Sequence, residues 1–455
     1  MSTKALSQVS LKDGISPLLF QQFPNQSLPP ELVFEVISHS KKEDLFHASL
    51  VCRDLVSLID DSYLWKQLFA RDFPERLPTA SVADLPNPWK ELYRAPIVTR
   101  ANIKKKEAQV TPLAGHAERV ASMSCSGSLV LTGDETGMII VRAKNVTGNF
   151  EDLQTIQPCK EGVFQTSPEQ DYLVFQHENS LKVYRRAESG KFEEIQKSLN
   201  VDGTEIIQYK IGTSFLSVST RQNSMIYRKG TDGLFQECKR LDGYHLALVS
   251  GDYLFAASGD QTVQMWKKDA RGEFQEHQSY LNANPSSALP SWIFFENGHL
   301  ILASIDGKIR IFKQEKNGLF SGPTNHDVAG ENFMNLMSSF EAEGDYLFAG
   351  MHTGALVILK KMDSGAFQPQ PDLEKAHDYQ ISALSINENY LVTGSIDGTV
   401  KIWEQEKTGT YSLLQTFADP ELDEAVTNVS MKGSKLFISY LSGAVKIWDF
   451  LSKKK

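Results

Sequence analysis

The residue types that could do chemistry are present in this chain, but their spacing does not predict a catalytic or metal site. The ten histidines are scattered, with no pair at zinc spacing, and no two carboxylates are marked as an acid–base pair. There is no P-loop, no Gly-x-Gly-x-x-Gly after a strand, no Gly-x-Ser-x-Gly elbow and no His-Glu-x-x-His. We therefore expect a non-catalytic protein without metal or cofactor. An enzyme would need a polar cluster assembled from distant loops.

Cysteine use, chain length and net charge further narrow the classes of protein that this sequence could belong to. The four cysteines form no Cys-x-x-Cys pair, which indicates free thiols in a reducing compartment. A chain of 455 residues is too long to fold around a single ordinary hydrophobic core. Its length therefore predicts several domains or a repeat array. Residues 1–108 hold 14 basic and 13 acidic residues, and 109–455 hold 33 and 43, so the net charges are +1 and −10. The acidic second part argues against a nucleic-acid partner, because phosphate contacts need a basic face.

Hydropathy argues against a membrane partner. No apolar run approaches the about 20 residues that a membrane helix needs. The first residues, MSTKALSQVSLKDG, lack the apolar core of a signal peptide. We therefore expect neither a membrane span nor a secretory leader.

A repeat predicts the elements that could position a binding site. An apolar run, a turn ending in Gly and a second, alternating run recur eight times, at steps of 39 to 47 residues. Turns such as Asp306-Gly307 and Asp397-Gly398 are typical of hairpins that need φ > 0. Eight units of this length predict propeller blades of about four strands each. The last residues of the eight repeats are Arg142, Tyr184, Tyr227, Trp266, Phe312, Leu359, Trp403 and Trp448.

One strand is absent from its expected place in the eighth blade. Seven repeats are followed by a Gly-x-aromatic motif that predicts the hairpin into an outer strand, but the eighth is followed only by DFLSKKK. A ring of blades must close, because an open sheet edge invites aggregation. The candidate for the missing strand is Gln109–Leu113 (QVTPL), directly before the first blade. Residues 1–108 are then expected outside the ring.

Over 109–449 the chain resembles the WD-repeat family. The spacing matches well, whereas "WD" occurs once, at Trp448-Asp449, and "GH" once, at Gly115-His116. Blade 7 comes closest to the family's hydrogen-bonded set, with His377, Ser395, Asp397 and Trp403. We expect an all-β propeller of eight blades over 109–455; seven blades, with one degenerate unit, is the alternative.

Residues 28–74 predict a small all-α module. Pro29-Pro30 can open a first helix, and Asp61-Ser62 can cap a third. Such short helices make a thin core, so the module is expected to lean on a partner. Residues 75–108 predict a linker with a helix that is broken near Pro96 and acts as a strut, or else a loose tether. Residues 1–27 are expected to be disordered.

This all-α module is similar to the F-box. The matching elements, in order and with family-like gaps, are Leu28-Pro29-x-Glu31-Leu32, Val36-Ile37, Asp44-Leu45, 49–53 (SLVCR) and Leu64-Trp65. The resemblance implies that an apolar helical face binds a Skp-type adaptor; the alternative is a cap that seals the propeller. The candidate contacts, some of which will belong to the module's own core, are Leu28, Pro29, Leu32, Ile37, Leu45, Val51, Cys52 and Trp65.

An F-box followed by a WD-repeat propeller resembles the substrate receptors of Skp–cullin–F-box ubiquitin ligases. The resemblance implies that the adaptor links the chain to a cullin–RING ligase, in the cytoplasm or nucleus, while the propeller holds a protein or peptide target. Family members bind targets near the turns inside the repeats. The candidates there are Glu135, Glu178, Arg221, Ile305, His352, Ile396 and Leu441. The single arginine argues against a phosphorylated target and favours an apolar or basic peptide.

Two other functions stay open from the sequence. The chain could be a scaffold that binds the adaptor without directing ubiquitination. It could also be an effector of an intracellular microbe that mimics such a receptor in the host cytoplasm, since its repeats are degenerate.

Overall fold

The structure is a computed structural model of the 455-residue chain. Contacts divide the chain into two compact units, Met1–Lys105 and Lys106–Lys455. The residues whose structure is described are 62–72, 88–126, 128–157, 164–166, 171–177, 180–201, 205–260, 262–280, 288–330, 336–371, 373 and 375–451. The first two predicted helices of the F-box-like module lie outside them.

Two helices are described in the first unit, α1 (Ser62–Asp72) and α2 (Pro88–Lys105). They pack through aromatic rings: the centroids of Trp65 and Tyr93 lie 5.2 Å apart, and those of Phe69 and Trp89 lie 5.9 Å apart. The predicted break near Pro96 is wrong, because α2 continues through the proline. Tyr93 before Pro96 and Ile103 after it are both buried, and this packing holds the two halves in one helix despite the lost N–H.

The second unit begins with β1 (Gln109–Leu113) and then forms blades in chain order. Blade 1 contains β2 (Val120–Cys125), β3 (Leu129–Asp134), β4 (Ile139–Lys144) and β5 (Phe150–Ile156). Blade 2 contains β6 (Phe164–Thr166), β7 (Tyr172–His177), β8 (Ser180–Arg186) and β9 (Phe192–Asn200). Blade 3 contains β10 (Ile206–Ile211), β11 (Phe215–Thr220), β12 (Asn223–Lys229) and β13 (Phe235–Asp242). Blade 4 contains β14 (Tyr244–Ser250), β15 (Tyr253–Ser258), β16 (Val263–Lys268) and β17 (Phe274–Tyr280).

The second half of the unit repeats this four-stranded pattern. Blade 5 contains β18 (Pro290–Glu296), β19 (His299–Ser304), β20 (Lys308–Lys313) and β21 (Thr324–Asp327). Blade 6 contains β22 (Met337–Glu343), β23 (Tyr346–Met351), β24 (Leu356–Lys361) and β25 (Phe367–Pro369). Blade 7 contains β26 (Ile381–Asn387), β27 (Tyr390–Ser395), β28 (Thr399–Gln405) and β29 (Tyr411–Ala418). Blade 8 contains β30 (Val426–Lys432), β31 (Lys435–Tyr440), β32 (Val445–Asp449) and the distant strand β1.

The first strand of each blade lies at the centre of the ring. These eight strands contact one another in succession, and β30 of blade 8 contacts β2 of blade 1. Each blade is a meander of four antiparallel strands, so the second, third and fourth strands follow outwards. The described part of the chain therefore forms a closed propeller of eight blades, which confirms the predicted fold class.

The predicted closing strand is also confirmed. β1 pairs antiparallel with β32 from Gln109 opposite Asp449 to Leu113 opposite Val445. Leu113 is only 7% exposed and packs among Val120, Val445 and Ile447, which come from the two ends of the propeller chain. The predicted hairpin turns are present as well. At Gly443, φ is +87°, and a side chain there would run into the carbonyl oxygen of Glu118.

Side-chain amides join neighbouring blades at their outer strands. In three places a glutamine accepts a hydrogen bond from the backbone N–H of an aromatic residue in the next blade and donates one to its carbonyl oxygen. The three pairs are Gln154 with Phe192 (2.7 and 2.9 Å), Gln196 with Phe235 (3.1 and 2.9 Å) and Gln278 with Phe320 (2.7 and 2.8 Å). Each glutamine follows the aromatic residue of its own Gly-x-aromatic motif by four positions. This regularity was not part of the sequence-based prediction.

Candidate functional site on the hairpin face

Two positions of a blade meet on one face of the ring in several of the described blades. The turn position is the residue directly after the second strand, and the lead-in position is the residue directly before the first strand. In blades 6, 7, 8 and 1, the N–H at the turn position donates to the carbonyl at the lead-in position, over 2.8 to 3.1 Å. The two positions lie 16 residues apart in these blades, as in blades 3 and 5. We call the surface that they form the hairpin face.

The predicted target-binding residues fall on this face wherever the structure describes them. Each occupies the turn position of a different blade, and each is exposed, so the candidates are spread around the ring. They are Glu135 in blade 1, Arg221 in blade 3, Ile305 in blade 5, His352 in blade 6, Ile396 in blade 7 and Leu441 in blade 8. Glu178 lies outside the described residues. A binding role for these side chains stays a prediction.

Blades 1 and 3 fill the two positions with ion pairs of opposite order. In blade 1, Arg119 at the lead-in position contacts Glu135 at 3.1 Å. In blade 3, Glu205 at the lead-in position contacts Arg221 at 2.7 Å. Both pairs are exposed, so they contribute little to stability. The two ion pairs do affect the charge of the hairpin face, because each guanidinium charge is balanced by a carboxylate within the same blade.

Blades 5 to 8 present mainly apolar side chains instead, at these two positions and, for Tyr379, at the residue before the lead-in position; His352 and Gln380 are the polar exceptions. Six of the apolar side chains each expose more than a third of their surface, which is enough to contact another molecule. They are Leu289 (44%), Ile305 (45%), Leu336 (38%), Tyr379 (63%), Ile396 (45%) and Leu441 (54%), and we call them the apolar arc. The sequence analysis found three and missed Leu289, Leu336 and Tyr379. The fixed offset of 16 residues from the turn position would have pointed to Leu289 and Leu336.

Contacts between turns and lead-in segments make the arc continuous from blade 5 to blade 7. The carbonyl of Ile305 accepts the N–H of Met337 at 2.7 Å, which places the turn of blade 5 beside Leu336 of blade 6. Between blades 6 and 7, the carbonyl of Gly354 accepts the N–H of His377 at 2.9 Å. The carbonyl of Tyr379 accepts the hydroxyl of Ser395 at 3.1 Å, which places Tyr379 beside Ile396. The lead-in segments of blades 6 and 7 thus fill the space between two turns.

Close approaches of turns and lead-in segments continue the arc to blade 8 and lead on to blade 1, where a Cβ on Gly443 would run into the carbonyl oxygen of Glu118. The turn of blade 7 lies against the lead-in segment of blade 8, since a Cβ on Gly398 would stand 3.1 Å from the carbonyl oxygen of Glu424. Within blade 8, the N–H of Leu441 donates to the carbonyl oxygen of Ala425 at 3.0 Å. Acidic residues lie beside the arc in the lead-in segments of blades 7, 8 and 1. The side chains of Asp378, Asp423 and Glu118 are exposed, and that of Glu424 is half-buried.

A buried hydrogen-bond set supports the arc in blade 7. The Nε2 of His377 lies 2.6 Å from the hydroxyl of Thr393, and the indole N–H of Trp403 donates to the same hydroxyl at 3.0 Å. Asp397 lies 3.2 Å from the Nδ1 of His377. Burial alone would raise the pKa of Asp397, but hydrogen bonds from His377 and Thr399 hold it well below its ordinary value.

The sequence analysis placed Ser395 in this set, and the structure corrects that assignment. Ser395 donates to Tyr379 and accepts the N–H of Asp397 at 3.1 Å, so it shapes the turn rather than meeting the indole. Ser395 and Thr393 are two positions apart and share a face of β27. Thr393 meets the indole because it stands only two residues from Leu391, the partner of Trp403 in the strand register, whereas Ser395 stands four away. Thr393 and Trp403 share one face.

Blade 1 contains the same set with an arginine in place of the tryptophan. His116 lies 2.8 Å from Asp134 and 2.7 Å from the hydroxyl of Thr132. The guanidinium of Arg142 donates to this hydroxyl at 3.1 Å and, through Nε, to Asp152 at 2.7 Å. Arg142 is almost completely buried, and this burial lowers its pKa although the Asp152 carboxylate opposes the effect.

Charged side chains of the inner strands interact near the axis of the ring. Burial raises the pKa of Glu341 on β22 to about 7, while Lys210 on β10 and Lys432 on β30 oppose the rise and Glu343 adds to it. The Lys210 ammonium group also lies 5.0 Å from the ring centroid of Phe294. The axis therefore holds a carboxyl group that changes charge near neutral pH.

Replacement of Glu341 by Gln is expected to increase stability at high pH. Between its ordinary pKa of 4.5 and about 7, the folded state holds a proton that the unfolded state has released, so the wild type loses stability as the pH rises. A glutamine cannot ionise. Urea unfolding should show Glu341→Gln more stable by about 3 kcal/mol at about pH 8, with the difference fading towards about pH 4. Glu315→Gln is the surface control, and an equal difference at both pH values would contradict this explanation.

On the first unit, Trp65 is the one adaptor candidate within the described residues. It is 5% exposed, packs on Tyr93, and has the Lys90 ammonium group 5.9 Å from its ring centroid. Trp65 therefore fills a core position of the helix pair, the second role that the sequence left open for such residues. The seven candidates outside the described residues are Leu28, Pro29, Leu32, Ile37, Leu45, Val51 and Cys52.

The described parts of the two units contain neither a metal-ligand cluster nor a membrane-spanning helix. No group of three His, Cys, Asp or Glu side chains in them is close enough to hold a metal ion. None of their helices is long and apolar enough to cross a membrane.

Family comparisons agree with both units. A model for F-box-like motifs matches residues 25–71, and a model for the WD domain, G-beta repeat, matches residues 370–404. The second match covers the hydrogen-bonded set of blade 7. Together with the eight-bladed ring, the matches are consistent with a WD-repeat type of β-propeller. The chain thus combines an F-box-like match with an eight-bladed propeller that carries a WD-repeat match.

Curated relatives match only parts of the chain. F-box only protein 7 of Homo sapiens is 36% identical over 81 residues, which are 18% of this chain and 14% of that protein. Protein Rae1 of Drosophila melanogaster is 31% identical over 101 residues, or 22% of this chain and 28% of that protein. Zinc finger CCCH domain-containing protein 59 of Arabidopsis thaliana is 26% identical over 35% of this chain and 31% of that protein. The chain thus spans less than a third of the length of these relatives.

Solved structures share the propeller at low identity. Sqt1 of Saccharomyces cerevisiae superposes with a TM-score of 0.59 at 14% identity, over 75% of this chain and 98% of that one. The computationally designed protein Ika8 superposes with a TM-score of 0.56 at 18% identity, over 74% and 98%. At such identities the likeness concerns the fold alone.

Proposed function

We propose that this protein is the substrate-recognition subunit of a Skp–cullin–F-box ubiquitin ligase. The observation that carries the proposal is the combination of an F-box-like match at residues 25–71 with a complete eight-bladed ring. An F-box-like motif supplies an adaptor-binding helical module. A closed ring supplies a rigid surface for a second protein. A chain with both can join two proteins.

The proposed mechanism is positional rather than chemical. A Skp-type adaptor holds the F-box-like module and links it to the cullin and RING subunits, which supply the ubiquitin transfer. The propeller holds the target through its hairpin face, where Ile305, Ile396 and Leu441 stand exposed. Tethering raises the effective concentration of target lysines near the charged ubiquitin carrier. Such a complex would act in the cytoplasm or the nucleus.

Co-purification with a Skp-type adaptor tests the proposal. The wild-type chain and a propeller variant, Leu319→Asp, are expected to bind the adaptor equally, because Leu319 is an exposed leucine of blade 5. Leu32→Asp, which places a charge on the predicted adaptor-binding helix, is expected to weaken binding by about a hundredfold. Trp65 is left unchanged, since its substitution would damage the packing of α1 on α2.

Two results would count against the ligase. No adaptor binding by the wild type would leave the F-box-like module as a structural cap on a scaffold propeller. Adaptor binding without recruitment of a cullin would support the scaffold function, in which the chain joins proteins without directing ubiquitination. Circular dichroism of each variant verifies that the propeller is still folded.

A further inference from the structure

We propose that the apolar arc binds an unphosphorylated protein segment that carries apolar side chains together with lysine or arginine. The proposal rests on the proposed function, since it specifies the chemistry of the target. It concerns the sector of blades 5 to 8 rather than the whole hairpin face. Its basis is the difference between the two halves of that face.

The first step is the position-by-position contrast between blades. At the lead-in and turn positions, blades 1 and 3 hold ion pairs, whereas blade 5 holds Leu289 and Ile305. The same backbone geometry can therefore accommodate charge, and nothing in the fold requires apolar residues there. Six exposed apolar side chains on four consecutive blades form a patch of the kind that marks a protein-binding surface.

The second step concerns the charge of the partner. Exposed carboxylates lie at the blade 7 to blade 1 end of the arc: Asp378 is next to Tyr379 in sequence, Asp423 leads into blade 8 and Glu118 into blade 1. The same lead-in segments carry one exposed lysine, Lys375, among their described residues. A positive charge on the partner is favoured beside such a rim.

The arginines of the hairpin face argue against a phosphorylated partner. Phosphate is held best by arginine forks with free N–H groups. The two arginines at the paired positions, Arg119 and Arg221, are each bonded to a carboxylate within their own blade. Both also lie in the blades with ion pairs. A phosphate over the arc would instead meet the carboxylates of its rim.

Peptide selection tests this inference without knowledge of the natural target. The full chain is used to select from a phage library of random peptides of about 12 residues, which span about 40 Å when extended. We expect the selected peptides to be enriched in Leu, Ile, Phe, Lys and Arg. Their affinity should fall severalfold as salt rises, and at least tenfold when their basic residues are replaced by Glu or when a phosphoserine is introduced.

Matched variants locate the binding surface. Ile305→Glu, Ile396→Glu and Leu441→Glu should each weaken the selected peptides by about tenfold. The control is Leu319→Glu, because Leu319 also belongs to blade 5 and is 43% exposed against 45% for Ile305, but lies in the hairpin between the third and fourth strands. Leu319→Glu should bind like the wild type.

Three outcomes would overturn the inference: no enrichment, enrichment of acidic peptides, or selected peptides that bind the three arc variants as well as the wild type. The selection does not depend on adaptor binding. Its failure would leave a positive co-purification with the adaptor standing, and a failed co-purification would leave the peptide result standing. The two proposals can therefore fail separately.

Discussion

Leu113→Asp is expected to open the ring and to lower the free energy of unfolding by about 4 kcal/mol or more. Leu113 is the last residue of β1, is 7% exposed, and packs with Val120, Val445 and Ile447. The substitution removes apolar contacts to both ends of the propeller chain. It also places a carboxylate in a site without a positive partner among these apolar neighbours. Urea unfolding followed by tryptophan fluorescence measures the loss.

The control for this experiment lies on the same strand. Val110→Asp makes the same kind of change at a residue that is 41% exposed, so it is expected to cost less than about 1 kcal/mol. If Leu113→Asp were as stable as Val110→Asp, β1 would not be needed for closure. Size-exclusion chromatography should also show association of Leu113→Asp, because an unpaired β32 presents a free sheet edge.

The propeller could be predicted from the sequence because its signals are local. The Gly at the turns, as in Asp397-Gly398, and the alternation of apolar residues in β28 depend on a few neighbouring residues. Their repetition at a constant step makes the prediction strong even where each repeat is degenerate. The closing strand followed from the unequal number of repeats and outer hairpins, since eight repeats with seven outer hairpins leave one blade a strand short.

The apolar arc was only half predictable because it joins positions from different strands. Ile305, Ile396 and Leu441 sit in recognisable turns, whereas Leu336 lies in a lead-in segment without a motif of its own. Leu336 comes to lie beside the turn of blade 5 because the next residue, Met337, bonds to Ile305, and this contact depends on how two blades pack. The role of Trp65 was open for a similar reason. A motif shows that a residue is needed but does not show whether it packs inside or binds outside.

Substitutions within the hydrogen-bonded sets could not be read from sequence either. Arg142 of blade 1 takes the place that Trp403 takes in blade 7, with a donor 3.1 Å from one threonine and 3.0 Å from the other. The sequence shows an arginine as the last residue of the repeat, where an exposed side chain is the usual expectation for so polar a residue. Only the neighbouring Thr132 and Asp152 show that its guanidinium is buried as a donor.

Thr393→Val is the second change with a large expected effect. Valine has almost the same shape as threonine, so the packing of the completely buried Thr393 is preserved and only its hydroxyl is lost. His377 and Trp403 would each lose their contact with that hydroxyl in a buried site. We expect a cost of about 2–4 kcal/mol, because buried polar groups without a partner are unfavourable. The same loss should reduce peptide binding to the arc only slightly while the blade stays folded.

Thermal and urea unfolding of Thr393→Val, compared with Thr155→Val at an exposed position of β5, measure this cost. The control should change stability by less than about 0.5 kcal/mol. A stability of Thr393→Val equal to that of the control would mean that the hydrogen-bonded set of blade 7 is dispensable and that packing alone holds the blade.

Thr132→Val makes the same change in the hydrogen-bonded set of blade 1, so its stability can be compared with that of Thr393→Val. In blade 1 the guanidinium of Arg142 keeps its bond to Asp152, so we expect a smaller loss there than in blade 7.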